Sequence, residues 1–526
     1  MKDTKTKKPG LFTRFLNGVE RVGNKLPQPI TLFFMLAVGI VVLSGILAAM
    51  GVSATGELIN KETGLLEPTK VTVVSLLNGA GIVYMLESAV SNFTSFAPLG
   101  TVLVAMLGVG IAESSGYITG VLKGVVGVTP KQLITPVVVL LGVMSNIASD
   151  VGYVILIPIA AMMFQAYGKH PIAGLAAAFA GVSGGFSANL LIGTTDPLLT
   201  GITNEAIKLV DANYYMNPTG NMFFMQVSTL VITVIGTLVT EKIVIPRLEA
   251  SSGNRLKVNN DTENEYTKPL NDKEKKALKL ANLSVLIYVA VIVIACIPQN
   301  SIMRNAETGS LIAKSPFMNG IIMLLAILFF IPGLVYGFVS GKYTGEKDVA
   351  RDLGKAMASM GSYMALCFVA AQFIAYFNYT QIGRVIAFTG ANFLKTANVG
   401  KIPLMLVFIL FSAFINLFMG SASAKWTMLA PVFVPMFMML GVSPELTQVA
   451  YRIGDSSTNI ITPLMTYFAM ITVFANKYDE EAGIGSLIST MLPYSICFIL
   501  GWSALLIVWM LAGLPLGPGA GLVYVG

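Results

Sequence analysis

The sequence predicts an all-α polytopic membrane protein: about nine transmembrane helices at roughly 20 apolar residues per crossing, plus two re-entrant helical hairpins, arranged as an inverted repeat. Three observations predict it. The 526 residues are 55% hydrophobic and only 12% charged, with a mean hydropathy of +0.74, whereas soluble domains carry about 25% charged residues. Isolated acids and bases stand deep inside apolar stretches, next to clusters of Ser, Thr, Asn, Gly and Pro. The two halves of the chain repeat the same interrupted pattern.

Taken in order, residues 1–28 form a tail with seven basic side chains (Lys2, Lys5, Lys7, Lys8, Arg14, Arg21, Lys25) against Asp3 and Glu20. That bias assigns the tail to the cytoplasm. No cleavable signal peptide is evident, because the first apolar run begins near Ile30 without a clear cleavage site after it. The first membrane half covers 29–246. Its first span runs from Ile30 to Met50. An external loop follows from Gly51 to Asn92, with a partly inserted helix over Val71–Tyr84. The second span, Pro98–Val126, contains Glu113. A re-entrant hairpin occupies about 133–167, with Lys131 and Lys169 at its two ends and Asp150 as the only charge between them. Span three starts at Pro171 and is unwound around Gly184, Gly185, Gly193 and Pro197, with Asp196 as its sole acid before Glu205. Span four is Met222–Ile245.

A charged cytoplasmic linker, 247–280, leads into the second half, 281–514. Spans five and six are Ala281–Pro298 and Phe317–Ser340. Lys342–Lys355 is expected as a loop, span seven as Ala356–Phe377, and Gln381–Ala397 as an amphipathic helix at the outer surface. The second hairpin covers about 402–440, interrupted at Ile415–Met428. Span eight is Pro444–Asn476, span nine Ser486–Leu514, and 515–526 is an external tail. The net charge of +7 comes largely from tails and loops, so it reports topology and not nucleic-acid binding. Cys296, Cys367 and Cys497 are far apart in apolar segments and read as small core residues. His170, in a Lys-His-Pro turn, reads as a loop anchor.

The informative stretch is YRIGDSSTNIITPLMT, Tyr451–Thr466. Arg452 and Asp455 are the only charges between Glu445 and Lys477. Charges at membrane depth cost about 2.5–3.5 kcal/mol each on insertion scales, so they face a cavity or each other. Their i,i+3 spacing also permits a purely structural ion pair on one helix face. Ser456, Ser457, Thr458, Asn459 and Thr462 add oxygen donors and acceptors, and Pro463 breaks the hydrogen-bond ladder. Ser187-Ala188-Asn189 with Pro197 repeats Ser457-Thr458-Asn459 with Pro463, four residues longer. Ahead of each, a polar break recurs: Asn146 twelve residues before Pro158, and Ser423 twelve before Pro435. Two inverted broken-helix units are the signature of a secondary transporter with its site at their interface.

At these motifs the chain resembles the p-aminobenzoyl-glutamate transporter family, AbgT. The strings NFTSFAPLGTVLVAMLGVGIAESSG, GLAAAFAGVSGGFSANLLIGTTDPLL, FINLFMGSASAKW and YRIGDSSTNIITP carry the resemblance, in family order over nearly the whole chain. It implies a homodimer in the bacterial inner membrane, each protomer divided into a scaffold part and a transport part. It implies cation-coupled transport of p-aminobenzoyl-glutamate and related folate-type metabolites, or alternatively proton- or sodium-driven efflux of sulfonamide antimetabolites. The site residues it implies are Asp196, Ser423, Trp426, Pro444, Arg452, Asp455 and Pro463, with Asn416 and Asp455 as cation neighbours.

From the residues themselves, Asp455 is expected to bind or exchange the coupling ion, Na⁺ or H⁺, and Asn459 joins Asn416 as a candidate Na⁺ ligand. No other cofactor is expected. Asp196 is either the counterpart of Asp455 in the first repeat or a cap for the helix after the break. Arg452 suits a substrate carboxylate or sulfonyl oxygen, and Trp426 suits stacking on an aminobenzoyl ring. Lys425 reads chiefly as a snorkelling side chain. Ser145, Asn146, Asp150 and Asn189 form a second tier, with Glu113 behind them. An ATP-driven pump lacks its phosphate loop here. An intramembrane aspartyl hydrolase would need Asp196 and Asp455 opposed as a pair, and a channel is the third class; an enzyme is not expected.

Overall fold

The computed structural model describes residues 27, 29–59, 66–127, 129–146, 152–252, 270–311, 315–462, 465, 467–479 and 483–524. Asp150, Pro463, nearly all of the 1–28 tail and residues 253–269 of the 247–280 linker lie outside them. The fold is helical, as expected. Among the described residues seven helical stretches are long and apolar enough to cross a membrane. They are α1 (Pro29–Ala49), the consecutive pair α2 (Gly79–Thr94) and α3 (Ala97–Ser114), α9 (Met222–Ala250), α10 (Asp272–Cys296), α11 (Ile321–Ser340), α13 (Gly361–Tyr379) and α19 (Ile484–Leu511).

The two remaining expected spans, the third and eighth, are the ones that break. The third consists of α7 (Pro171–Gly184), an irregular stretch over 185–194, and α8 (Thr195–Ile207). The eighth consists of α17 (Pro444–Asn459), a break, and α18 (Phe468–Asn476). Helix α17 stops four residues short of Pro463, consistent with the bias against helix immediately before proline. A π turn closes α7 at Ala180–Gly184, and such turns concentrate where a helix is re-aimed.

Each broken element is preceded by two helices that form a hairpin. The first pair is α5 (Ile134–Ser145) and α6 (Gly152–Ala166); the second is α15 (Lys401–Asn416) and α16 (Ala422–Met438). Helix α5 packs on the end of α7, and α15 packs on α17. Both crossings are close because a glycine stands at each. A Cβ on Gly181 would meet the Val139 carbonyl oxygen at 2.4 Å, and one on Gly454 would meet that of Ile409 at 2.4 Å.

Three segments differ from the expectation. The segment after α1 holds a β-hairpin, β1 (Ser53–Ile59) paired antiparallel with β2 (Leu66–Thr72). A two-stranded hairpin is marginal alone; this one lies on α14 (Ile382–Thr396), where Asn392 Nδ2 donates to the Thr55 carbonyl at 3.0 Å. The expected loop 342–355 is mostly helix, α12 (Glu346–Ser359). Glu346 and Asp348 occupy its first turn, where acids favour a helix, and Asp348 also accepts from Thr344 and Arg351. Span seven consequently starts at Gly361 and not at Ala356.

Buried apolar side chains form two clusters. The larger surrounds the hairpins and the broken helices. The smaller joins α1, α13, α14 and the β-hairpin, with Phe33 edge-on to Phe373 at 5.7 Å. The C-terminal segment turns back over the start of α17, where Ser443 N donates to the Leu522 carbonyl at 3.2 Å.

Candidate functional site

Helix α17 is the centre of the site. All 16 of its residues are buried, although PELTQVAYRIGDSSTN is largely polar. Buried polar groups need partners, and these partners come from both halves of the chain.

The ionisable groups pair across helices. Arg452 Nη2 lies 2.7 Å from Asp196 Oδ1 and donates to the Ser187 carbonyl at 2.8 Å. Asp455 Oδ1 lies 2.5 Å from Lys425 Nζ. The i,i+3 ion pair between Arg452 and Asp455 is thus replaced by two pairs that each leave α17. Asp196 in the first turn of α8 and Lys425 in the first turns of α16 each bring α17 a charge of opposite sign at contact distance. Lys425 does not snorkel. Its side chain is 0% exposed, enclosed in the bundle where Asp455 and Asn416 engage its ammonium.

Asp196 is the second residue of α8, where Oδ2 accepts from Gly193 N, just ahead of the helix, at 2.8 Å, while Oδ1 meets the guanidinium. The expected cap is not made, since Thr194 holds the N-cap position without a side-chain bond. The Gly193 bond instead orients the carboxylate for Arg452. Ser187 N also donates to Ser456 Oγ at 3.1 Å, so the first break and α17 are bonded through backbone as well as charge.

The candidate cation ligands converge. Asn416, at the end of α15, directs Nδ2 to the Asp455 carbonyl oxygen (2.6 Å), Thr458 Oγ1 (2.9 Å) and Asn459 Oδ1 (2.8 Å). Its Oδ1 accepts from Lys425 Nζ. Asn146, at the end of α5, occupies the corresponding place in the first half. Its Nδ2 donates to Val143 (3.1 Å) and Gly185 (3.5 Å) carbonyls. The structural counterpart of Asn146 is thus Asn416, not Ser423. The Asn189 amide nitrogen, turned toward carbonyls, reaches Val143 O at 3.2 Å, and Ser145 Oγ donates to Gly142 O at 2.7 Å. These three second-tier residues gather at the first break.

Trp426 is enclosed by protein. Its ring stacks on Tyr451 at 4.5 Å and 27°, and Nε1 donates to Thr203 Oγ1 on α8 at 2.9 Å. In this conformation no face is open for a substrate ring. Gln448 Nε2 donates to the same Thr203 oxygen at 2.8 Å. Ser423 is half-buried, 3.5 Å from the Ser421 hydroxyl. Pro444 opens α17 eleven residues before Asp455, about 16 Å away at 1.5 Å per residue; it belongs to the far end of the helix, not to the ion pairs. Thr203 and Gln448 were not singled out from the sequence, and Ser187 and Tyr451 were read only as parts of the repeated motifs. Lys425 had a readable signal, as the sole charge between Lys401 and Glu445.

Three buried polar atoms around α17 have no hydrogen-bond partner among the described residues: Arg452 Nε, Asp455 Oδ2 and Ser457 Oγ. Unmet buried groups are costly and mark places where a ligand completes the bonding. A cleft of about 910 Å³ opens between α3, α4 (Tyr117–Gly127), α10 and α11 on one side and α6 on the other. Glu113 lines it together with Thr119, Lys123, Glu274 and Lys342, so Glu113 belongs to this approach and not to the paired carboxylates. Tyr467, in the break after α17, also lines the cleft and stacks on Tyr153 at 4.5 Å.

Two hairpin-plus-broken-helix units that interlock through buried charge define a helical membrane transporter. Residues 14–524 match the model of the AbgT putative transporter family, and the chain belongs to that family. It is 36% identical over 501 residues to the p-aminobenzoyl-glutamate transport protein of Escherichia coli K12, covering 95% of each chain. Two solved structures are similar. The YdaH transporter of Alcanivorax borkumensis, described as having an unusual topology, is 43% identical with a TM-score of 0.86, over 94% of this chain and all of that one. MtrF of Neisseria gonorrhoeae, described within a class of antimetabolite efflux pumps, is 46% identical with a TM-score of 0.89, over 96% of this chain and all of that one.

Proposed function

We propose that this chain is a cation-coupled secondary transporter of the bacterial inner membrane that carries p-aminobenzoyl-glutamate and related folate-type metabolites. It works as a homodimer with its N-terminus in the cytoplasm. The observation that carries the reading is the pair of cross-helix ion pairs on α17, Asp196–Arg452 and Lys425–Asp455, set between two broken helices. Arg452 holds the substrate's carboxylate with the edge of its guanidinium that Asp196 leaves open. Asp455, Asn416 and Asn459 hold the coupling ion, Na⁺ or H⁺. Substrate and ion then compete with internal partners for the same side chains, which ties loading to the movement of the hairpins.

Efflux of sulfonamide-type antimetabolites is the second reading, favoured by the 46% identity to MtrF. The two readings share the site, since a sulfonyl group and a carboxylate both offer oxygen acceptors to Arg452. Hydrolysis is not supported: each carboxylate has its own cation, whereas an aspartyl hydrolase needs two carboxyls sharing a proton.

The test is counterflow in proteoliposomes with labelled p-aminobenzoyl-glutamate and a labelled sulfonamide, under separately imposed Na⁺ and H⁺ gradients. Uptake of either, lost in Asp455→Ala, is expected. An Asp455→Ala protein that folds and transports normally would sink the site assignment.

A further inference from the structure

We propose that Lys425 is a tethered counter-ion: its ammonium occupies the cation position between Asp455 and Asn416, and the coupling cation binds only by displacing it. The proposal rests on the transporter reading above, but its test does not use a transport substrate.

Three elements meet at the Lys425 nitrogen. Asn416 Oδ1, at the end of α15, accepts from it. Asp455 Oδ1, on α17, lies 2.5 Å away. The lysine belongs to the first turns of α16. Two more oxygens, Thr458 Oγ1 and Asn459 Oδ1, are held on the other end of the same Asn416 amide. Oxygens that embrace an ammonium also suit a small hard cation, whose ligands are carboxylates, amide carbonyls and hydroxyls. Asp455 Oδ2 has no partner among the described residues, so ligand capacity remains on the carboxylate that holds the lysine.

Charge makes the two occupants exclusive. Among the described residues Asp455 is the one anion in contact with Lys425, and the nearby Asp196 is engaged by Arg452. Lys425 balances Asp455. A metal cation added beside the lysine would leave uncompensated positive charge in a fully buried place, which is strongly unfavourable. A cation that replaces the lysine restores neutrality. Lys425 is the charged tie between the start of α16 and α17, beside the Tyr451 hydroxyl on the Ala422 carbonyl at 2.5 Å and the Tyr451–Trp426 stacking. Its displacement removes the charged part of that joint, which couples ion binding to the position of the second hairpin. This also explains why a lysine stands at full burial, where an apolar residue would pack at less cost.

The experiment is ²²Na⁺ binding to the purified full-length protein at constant ionic strength, with K⁺ and choline as replacement cations. Lys425→Met should bind Na⁺ about tenfold or more tightly than the wild type, because the competing occupant that lowers apparent affinity is gone. Asp455→Asn combined with Lys425→Met should bind none. Recovery of Lys425→Met only from Na⁺-containing buffer also supports displacement. Should that variant fold in no buffer, the wild type carries the test. Na⁺ should then accelerate modification of Lys425 by a small amine reagent, read by peptide mass spectrometry. Equal Na⁺ affinity in Lys425→Met and wild type, or Lys425 reactivity indifferent to Na⁺, would overturn the proposal. Either result stands whether or not p-aminobenzoyl-glutamate proves to be carried.

Discussion

Arg452 carries the heaviest demand on the fold. It is 1% exposed on its side chain, with two nitrogen contacts to the first half of the chain and Nε unpaired. Removing one partner of such a pair strands the other charge, at a cost of about 3–5 kcal/mol. Arg452→Met should therefore lower the thermal midpoint in detergent sharply. Arg452→Met together with Asp196→Asn should recover most of that loss, since neither charge is left alone, yet transport should stay abolished. If the double variant is no more stable than the single one, the pair is not the main tie between the halves. Both positions were readable as isolated charges in apolar sequence. Their partners were not, because i,i+3 spacing on one helix offered a nearer partner than the true one, 256 positions away in the chain for Arg452 and Asp196.

At the scale of elements, the same joint is built twice: the first helix of a hairpin against a broken helix, with glycine at the crossing. The glycines serve close approach here. A Cβ at Gly454 would lie 2.4 Å from Ile409 O and 2.8 Å from Ser412 Cβ, and both neighbours belong to α15. Overpacking of this kind costs about 1–3 kcal/mol. Gly454→Ala should push α15 from α17, pull Asn416 off Thr458 and Asn459, and weaken Na⁺-dependent stabilisation more than substrate binding. A variant with unchanged Na⁺ response would show that the spacing of α15 and α17 is not what forms the cation ligands. The breaks themselves were legible, since clustered Gly and Pro destabilise a helix and weaken its hydrogen-bond ladder. The β-hairpin and α12 were not. Both are short elements whose stability comes from packing on neighbours, and short periodic stretches carry little signal of their own.

At the scale of the molecule, the 910 Å³ cleft lies between α3, α4, α10 and α11 and the hairpin helix α6, and Glu274, among its lining residues, belongs to the linker expected in the cytoplasm. A cysteine replacing Thr119 should therefore react with a membrane-impermeant thiol reagent in inside-out vesicles and resist it in whole cells. Saturating substrate should slow that reaction if the cleft is the way to the break at Tyr467. Labelling from the outside only would reverse the topology.

The sequence by itself determined the class of protein, the positions of the breaks and the presence of charge at depth. Those follow from local chemistry: apolar length, residues that interrupt a helix, and ionisable groups too costly to place without a purpose. Only the tertiary structure decided which charge meets which. Pairing depends on how helices from distant parts of the chain cross, and the burial that raises the cost of an unpaired ion exists only once they have. That is why Lys425, legible in the sequence only as an isolated charge, becomes the direct partner of Asp455.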